Sequence, residues 1–134
     1  MNIGNVREGL RARLATIAGL RTFAEIPESV PVPCAIVGVP SEILFDATLA
    51  RTNDQATFPV RIMVARANDR SAQKALDTYL AGTGASSVKT AIEAESSLGG
   101  AANTVKVDRV SGIGVYNISG VDYLGAEFSV RVWG

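Results

Sequence analysis

The chain has 134 residues, 47% of them hydrophobic, with thirteen basic residues against thirteen acidic ones, one cysteine and no histidine. That size fits one ordinary domain over residues 1–134 with a core of its own, the hydrophobic content argues against disorder, and no apolar run approaches the roughly 20 residues that span a bilayer. A balanced charge supplies no broad field for nucleic acid, the lone Cys34 excludes an intrachain disulfide or multi-cysteine metal cluster, and the lack of histidine removes Ser-His and Cys-His nucleophile pairs and histidine-bearing zinc sites.

The first eight residues carry no basic segment followed by a continuous apolar run, so no secretory signal is expected and folding is expected in the cytoplasm of the producing cell. Ile3, Val6, Leu10, Leu14 and Ile17 recur at helical spacing, which predicts an amphipathic helix over the first twenty residues. Gly19 is the expected stop, with Arg21 near the helix C-terminal end. Arg7, Arg11, Arg13 and Arg21 make this segment locally basic, either as a solvated face or as a groove for phosphates or an acidic surface.

Thr22-Phe23-Ala24 reads as a short extended segment, and Pro27, Pro31, Pro33 and Pro40 bar a helix through the stretch that follows. Strands are expected over Cys34 to Val39, Ile43 to Phe45 and Thr57 to Ala65, with Arg51 to Gln55 as a polar loop tip. Pro59 places the third of these at an edge, or itself near the strand's beginning. Asn68 to Ser71 offers N-cap candidates for a helix carrying Ala72, Ala75, Leu76, Tyr79 and Leu80, with Gly82 at its end. Ser86 or Ser87 can cap a shorter helix with Val88, Ala91 and Ile92 on one face.

The C-terminal stretch is the clearest sheet signal. Val105 to Asp108 alternates, Ile113 to Ile118 is rich in sheet formers, and from Ala126 onward Ala126, Phe128, Val130 and Val132 oppose Glu127, Ser129, Arg131 and Trp133. With Ser111-Gly112 and Ser119-Gly120 as turn dipeptides, this predicts a three-stranded antiparallel meander. Trp133, opposite the apolar face, lies either under a helix on a second covered face or exposed as an interface anchor.

Chemical motifs are sparse. Gly112-Ile113-Gly114 opens like a dinucleotide fingerprint, but Asn117 replaces the third glycine and the context is strand to strand. Glu93 and Glu95, two apart on a helix, do not share a face and read as solvated charges. Cys34 in its apolar setting reads as a small core residue rather than a nucleophile. Asn117-Ile118-Ser119 matches a glycosylation sequon only by accident, given no secretory route. No catalytic residue, cofactor or metal is expected, and the partner is expected to be protein.

The succession Ala91-Ile92-Glu93-Ala94, Leu98-Gly99-Gly100-Ala101, Val105-Lys106-Val107, Ser111 to Tyr116 and Gly120 to Phe128 resembles the C-terminal half of tail terminator proteins from long-tailed, non-contractile bacteriophages, most clearly those of actinobacteria. The two upstream helices fall in the same order. The resemblance implies an α+β fold, sandwich-like, with the N-terminal helix and one or two others packed on a mixed, mainly antiparallel sheet. It further implies a structural virion protein and not an enzyme: a hexameric ring that caps the tail tube, stops polymerisation of the major tail protein and offers the surface that joins the head connector. DNA would pass through the lumen only as cargo, no membrane is involved, and the place of work is the head-proximal end of the tail. Another connector component such as a stopper, a small carboxylate-dependent enzyme, and a sheet-edge protein-binding module are the alternatives. The candidate assembly residues are Arg51, Asn53 and Asp54 at the loop tip, Gly120, Asp122 and Tyr123 at the last turn, and Trp133.

Overall fold

The computed structural model describes residues 1–25, 31–46, 53–68 and 70–134. Its first helix, α1 (Ile3–Leu14), is capped by Asn2, whose side chain accepts the Asn5 N–H at 3.0 Å. Val6, Leu10 and Leu14 are buried as their spacing predicts. The helix stops earlier than expected, at Leu14. The Thr16 hydroxyl donates to the Arg13 carbonyl at 2.6 Å and Ile17 N–H bonds Leu14, so the last residues close into tight turns. Ile17 stays buried beyond the helix end. Arg21 is therefore not a helix C-terminal charge; it opens strand β1 (Arg21–Phe23).

Strand β1 runs parallel to β2 (Cys34–Val37), and every other pairing is antiparallel. The order is β1-β2-β4-β6-β5, with β4 spanning Gln55–Arg66, β5 Thr104–Ile118 and β6 Val121–Trp133. Short β3 (Glu42–Leu44) pairs with β4 beyond the end of β2. Among the described residues the result is an α+β fold with three α-helices on a six-stranded mixed sheet that is mostly antiparallel.

Pro59 sits in the middle of central strand β4, opposite Ser129, rather than at an edge or a strand start. Its carbonyl accepts the Gly38 N–H at 2.8 Å, so its nitrogen faces the same side, toward the connection between β2 and β3. The β2 ladder ends at Val60 and the β3 ladder begins at Thr57, so no regular pair needs the N–H that proline lacks.

The C-terminal sheet is one long hairpin, not a meander. Ser111-Gly112 makes no turn: β5 continues through it, and the register with β6 shifts between Ser111 and Gly114. Gly112 has φ of 59°, which serves a bulge as well as a turn, and the Tyr116 hydroxyl donates to its carbonyl at 2.6 Å. The true turn is Ser119-Gly120, with φ of 52° and 82°, the positive pair that a two-residue type I′ hairpin needs.

Helices α2 (Ala72–Leu80) and α3 (Val88–Glu93) begin where expected, and the Ser87 hydroxyl oxygen accepts the Thr90 N–H at 3.2 Å. Gly82 is not in a left-handed cap; the helix ends on extended Ala81. All three helices lie on one face of the sheet, where Val6, Leu10, Leu76, Ile92, Phe128 and Val130 share a core.

At Gly125 the backbone of β6 lies directly against that of β4. A Cβ built there would lie 2.2 Å from the Ile62 carbonyl oxygen, a backbone atom with no room to move. Gly125→Ala is expected to destabilise the protein by about 2 kcal/mol or more, whereas Gly82→Ala, in open space, should stay within about 0.5 kcal/mol. Denaturant midpoints of the two variants check both values.

Candidate functional site

The face of the sheet away from the helices divides into two halves. Cys34, Ile36 and Met63 form a small second cluster, closed over by Phe23, Val32, Ile118 and Tyr123. The rest is polar: Arg61 approaches Glu127 at 4.0 Å, Arg131 approaches Asp108 at 3.6 Å, and the Arg61 guanidinium lies 4.8 Å from the Tyr116 ring centre. Trp133 belongs to this face, half-buried between Gln55 and Thr104 and with no helix above it among the described residues.

The candidate assembly residues separate into two groups at opposite ends of β6. Asn53, Asp54 and Trp133 meet at one end. There Asp54 and Gly134 exchange backbone hydrogen bonds at 2.9 and 3.0 Å, the Asp54 carboxylate accepts the Asp46 N–H at 3.0 Å, and the Asn103 amide donates to the Asn53 side-chain oxygen. Arg51 lies outside the described residues. Gly120, Asp122 and Tyr123 meet at the other end, about 40 Å away at the rise of a strand. There the Asp122 carboxylate accepts the Asn117 amide at 2.7 Å and its carbonyl accepts the Ala67 N–H at 3.0 Å. Gly120 holds the hairpin turn, so bulk at that position strains the fold as well as any contact made there.

Sequence reasoning passed over a different set of residues. Among the described residues, the large apolar side chains left in solvent are Val39, Leu44, Phe45, Ile113 and Val115. In the sequence they belong to the expected strands. Nothing in the alternation marks them, because their exposure follows from which strands end up at the sheet edges.

The charged groups singled out in the sequence are structural. Glu93 and Glu95 are not merely solvated. Glu93 bonds Lys89 and accepts the Val107 N–H at 2.9 Å, tying α3 to β5, while Glu95 accepts the Gly99 N–H at 3.0 Å and approaches Arg13 at 3.6 Å. Burial opposes ionisation of Glu93, but the Lys89 ammonium and the Val107 N–H outweigh it and hold the carboxyl below its ordinary value. Of the basic helix face, Arg13 donates to the Ala91 carbonyl at 3.0 Å and Arg11 to Glu8 at 2.8 Å. Cys34 is buried, and desolvation pushes its thiol up to about 11.

Among the described residues, no group of three or more histidine, cysteine or acidic side chains is placed to hold a metal, and no helix is long and apolar enough to cross a membrane. The sequence matches no protein-family model and no curated protein. The polar groups at both ends of β6 are engaged within the chain.

Two measurements check these assignments. The Cys34 thiol should react with maleimide at pH 7 only at the rate of global opening, and fast labelling of the folded protein would contradict its burial. The depressed Glu93 carboxyl contributes stability above its ordinary value of about 4.5, which is lost as pH falls through the lowered folded value. Glu93→Gln should therefore be less stable than the parent at pH 7, with the gap closing below about pH 4.5, read from melting temperatures across that range.

Proposed function

We propose that this protein is a tail terminator of a long, non-contractile bacteriophage tail, a structural subunit whose ring caps the tail tube. The observation that carries the proposal is the β5–β6 hairpin. It holds the Ser111 to Phe128 part of the resemblance, it is the longest pair of strands in the fold, and its outer half leaves Ile113 and Val115 in solvent on an edge strand. Exposed apolar side chains on an unpaired edge suit a partner surface rather than a reaction. The bridging roles of Glu93 and Glu95 and the burial of Cys34 leave the groups considered for acid, base or nucleophilic work occupied in packing.

In this reading the ring, a hexamer by resemblance, meets the major tail protein on one face and the head connector on the other, with DNA passing through the lumen. A ring requires a heterologous interface, in which one patch of each subunit docks on a different patch of the next. The protein works in the virion after folding in the host cytoplasm.

Purified protein mixed with purified tail tubes and imaged by electron microscopy should decorate one end of each tube with a ring and stop further addition of the major tail protein. Binding along the tube wall, or none, would overturn the proposal. Binding to the head connector without the tube would instead identify a stopper.

A further inference from the structure

The polar half of the helix-free face gathers positive charge that the composition as a whole balances out. The registers put Arg131 and Lys106 in one row with Thr57, Arg109 in the next with Pro59 and Ser129, and Arg61 in a third with Glu127 and Ser111. Paired residues share a face, and Phe128 and Val130, which alternate with Glu127, Ser129 and Arg131, enter the core, so all four cations project away from the helices. At strand spacing and rise they lie within about 17 Å of one another.

Two anions stand among them. Asp108, in the irregularity of β5 after Val107, approaches Arg131 at 3.6 Å, and Glu127 approaches Arg61 at 4.0 Å; Glu42 lies at the far end of the first row, beyond Thr57. Lys106 and Arg109 are exposed and form no ion pair among the described residues, although Lys106 acts on Glu93 at longer range. The patch therefore carries more cations than anions, and its two free charges are both positive.

The chemistry between the charges points to the kind of partner. Thr57, Pro59, Ser111 and Ser129 fill the three rows, and none of the exposed large apolar side chains falls in them. Protein–protein interfaces centre on apolar and aromatic side chains and are depleted in charge, whereas surfaces that meet DNA are polar and positive. The Tyr116 ring beside the patch is covered by the Arg61 guanidinium at 4.8 Å, so the patch presents cations rather than a bare ring on which a base could stack. DNA carries one charge per about 1.7 Å of duplex, so a duplex crossing 17 Å of sheet passes about ten phosphates, enough to meet all four cations.

We propose that this patch holds the phosphate backbone of duplex DNA without reading its sequence. Lys106 and Arg109 supply the free charges. Arg61 and Arg131, whose side chains remain 42% and 44% exposed, exchange loose carboxylate partners for phosphate oxygens, because exposed ion pairs contribute little. The inference deepens the ring reading, on which it rests for the presence of DNA beside the protein: the helix-free face is then the one turned to the lumen. Composition could not reveal the patch, since strand alternation decides which face each charge takes.

Anisotropy of a short labelled duplex at low salt tests the contact. The protein should bind it, equally for two unrelated sequences, with an affinity that falls as salt rises. Lys106→Gln and Arg109→Gln should each weaken binding several-fold and lessen the log–log salt slope by about 1 for each copy in contact. Lys74→Gln, which removes the same charge from an exposed position on α2, should leave both nearly unchanged. No binding at low salt, equal loss in Lys74→Gln, or full binding by Lys106→Gln and Arg109→Gln variants that melt like the parent would overturn the proposal. Tighter binding of poly-glutamate than of the duplex would reassign the patch to an acidic protein, and tighter binding of single-stranded DNA would reassign it to base stacking; either overturns it. Capping of tail tubes by protein that ignores the duplex would leave the tail reading standing and remove the DNA contact. Duplex binding by protein that ignores tubes would do the reverse.

Discussion

Strand β6 is paired along both of its edges, to β4 on one side and to β5 on the other, and the rest of the molecule depends on that double pairing. Its alternation is unbroken, so Ala126, Phe128, Val130 and Val132 all enter the core under the helices while Glu127, Ser129 and Arg131 stay on the open face. Each large buried side chain contributes about 1.5–3 kcal/mol relative to exposure, and a one-residue slip would turn the whole set outward. The close approach at Gly125 fixes the register with β4, and the Ser119-Gly120 turn fixes it with β5.

Because the helices cover one face only, the sheet is left with a second face that is polar over about half its extent, and with a β5 edge that α3 touches only near Val107 among the described residues. Natural sheets blunt such edges with lysine, bulges and short strands. This chain has all three, in Lys106, in the two irregularities of β5 and in three-residue β3. Exposed apolar residues remain beside those devices. A fold that guards its edges yet leaves them locally adhesive fits the assembly role proposed above.

Much of this architecture was legible in the sequence because it follows from local periodicity. Val6, Leu10 and Leu14 on α1, the Ser87 cap of α3 and the alternation of β6 needed no knowledge of distant neighbours. The errors arose where one residue type serves two geometries. A serine-glycine pair makes a turn at Ser119-Gly120 and lies in a bulge at Ser111-Gly112, and only the partner strand decides between them. Pro59 is tolerated centrally because β2 and β3 part company beside it, a tertiary fact invisible along the chain. The candidate site was read less well. Asn53, Asp54 and Trp133 do come together, but at the far end of β6 from Gly120, Asp122 and Tyr123, and the exposed residues of β5 and β3 acquire meaning only once strand order is known.

The central claim is that the sheet edges, and not a pocket, carry the function. Hydrogen exchange on the protein free and assembled on tail tubes tests it most directly. The account predicts new protection of backbone amides on edge strand β5 around Ile113 and Val115, with β4 and β6 unchanged. Protection confined to the helices, or none on β5, would contradict it.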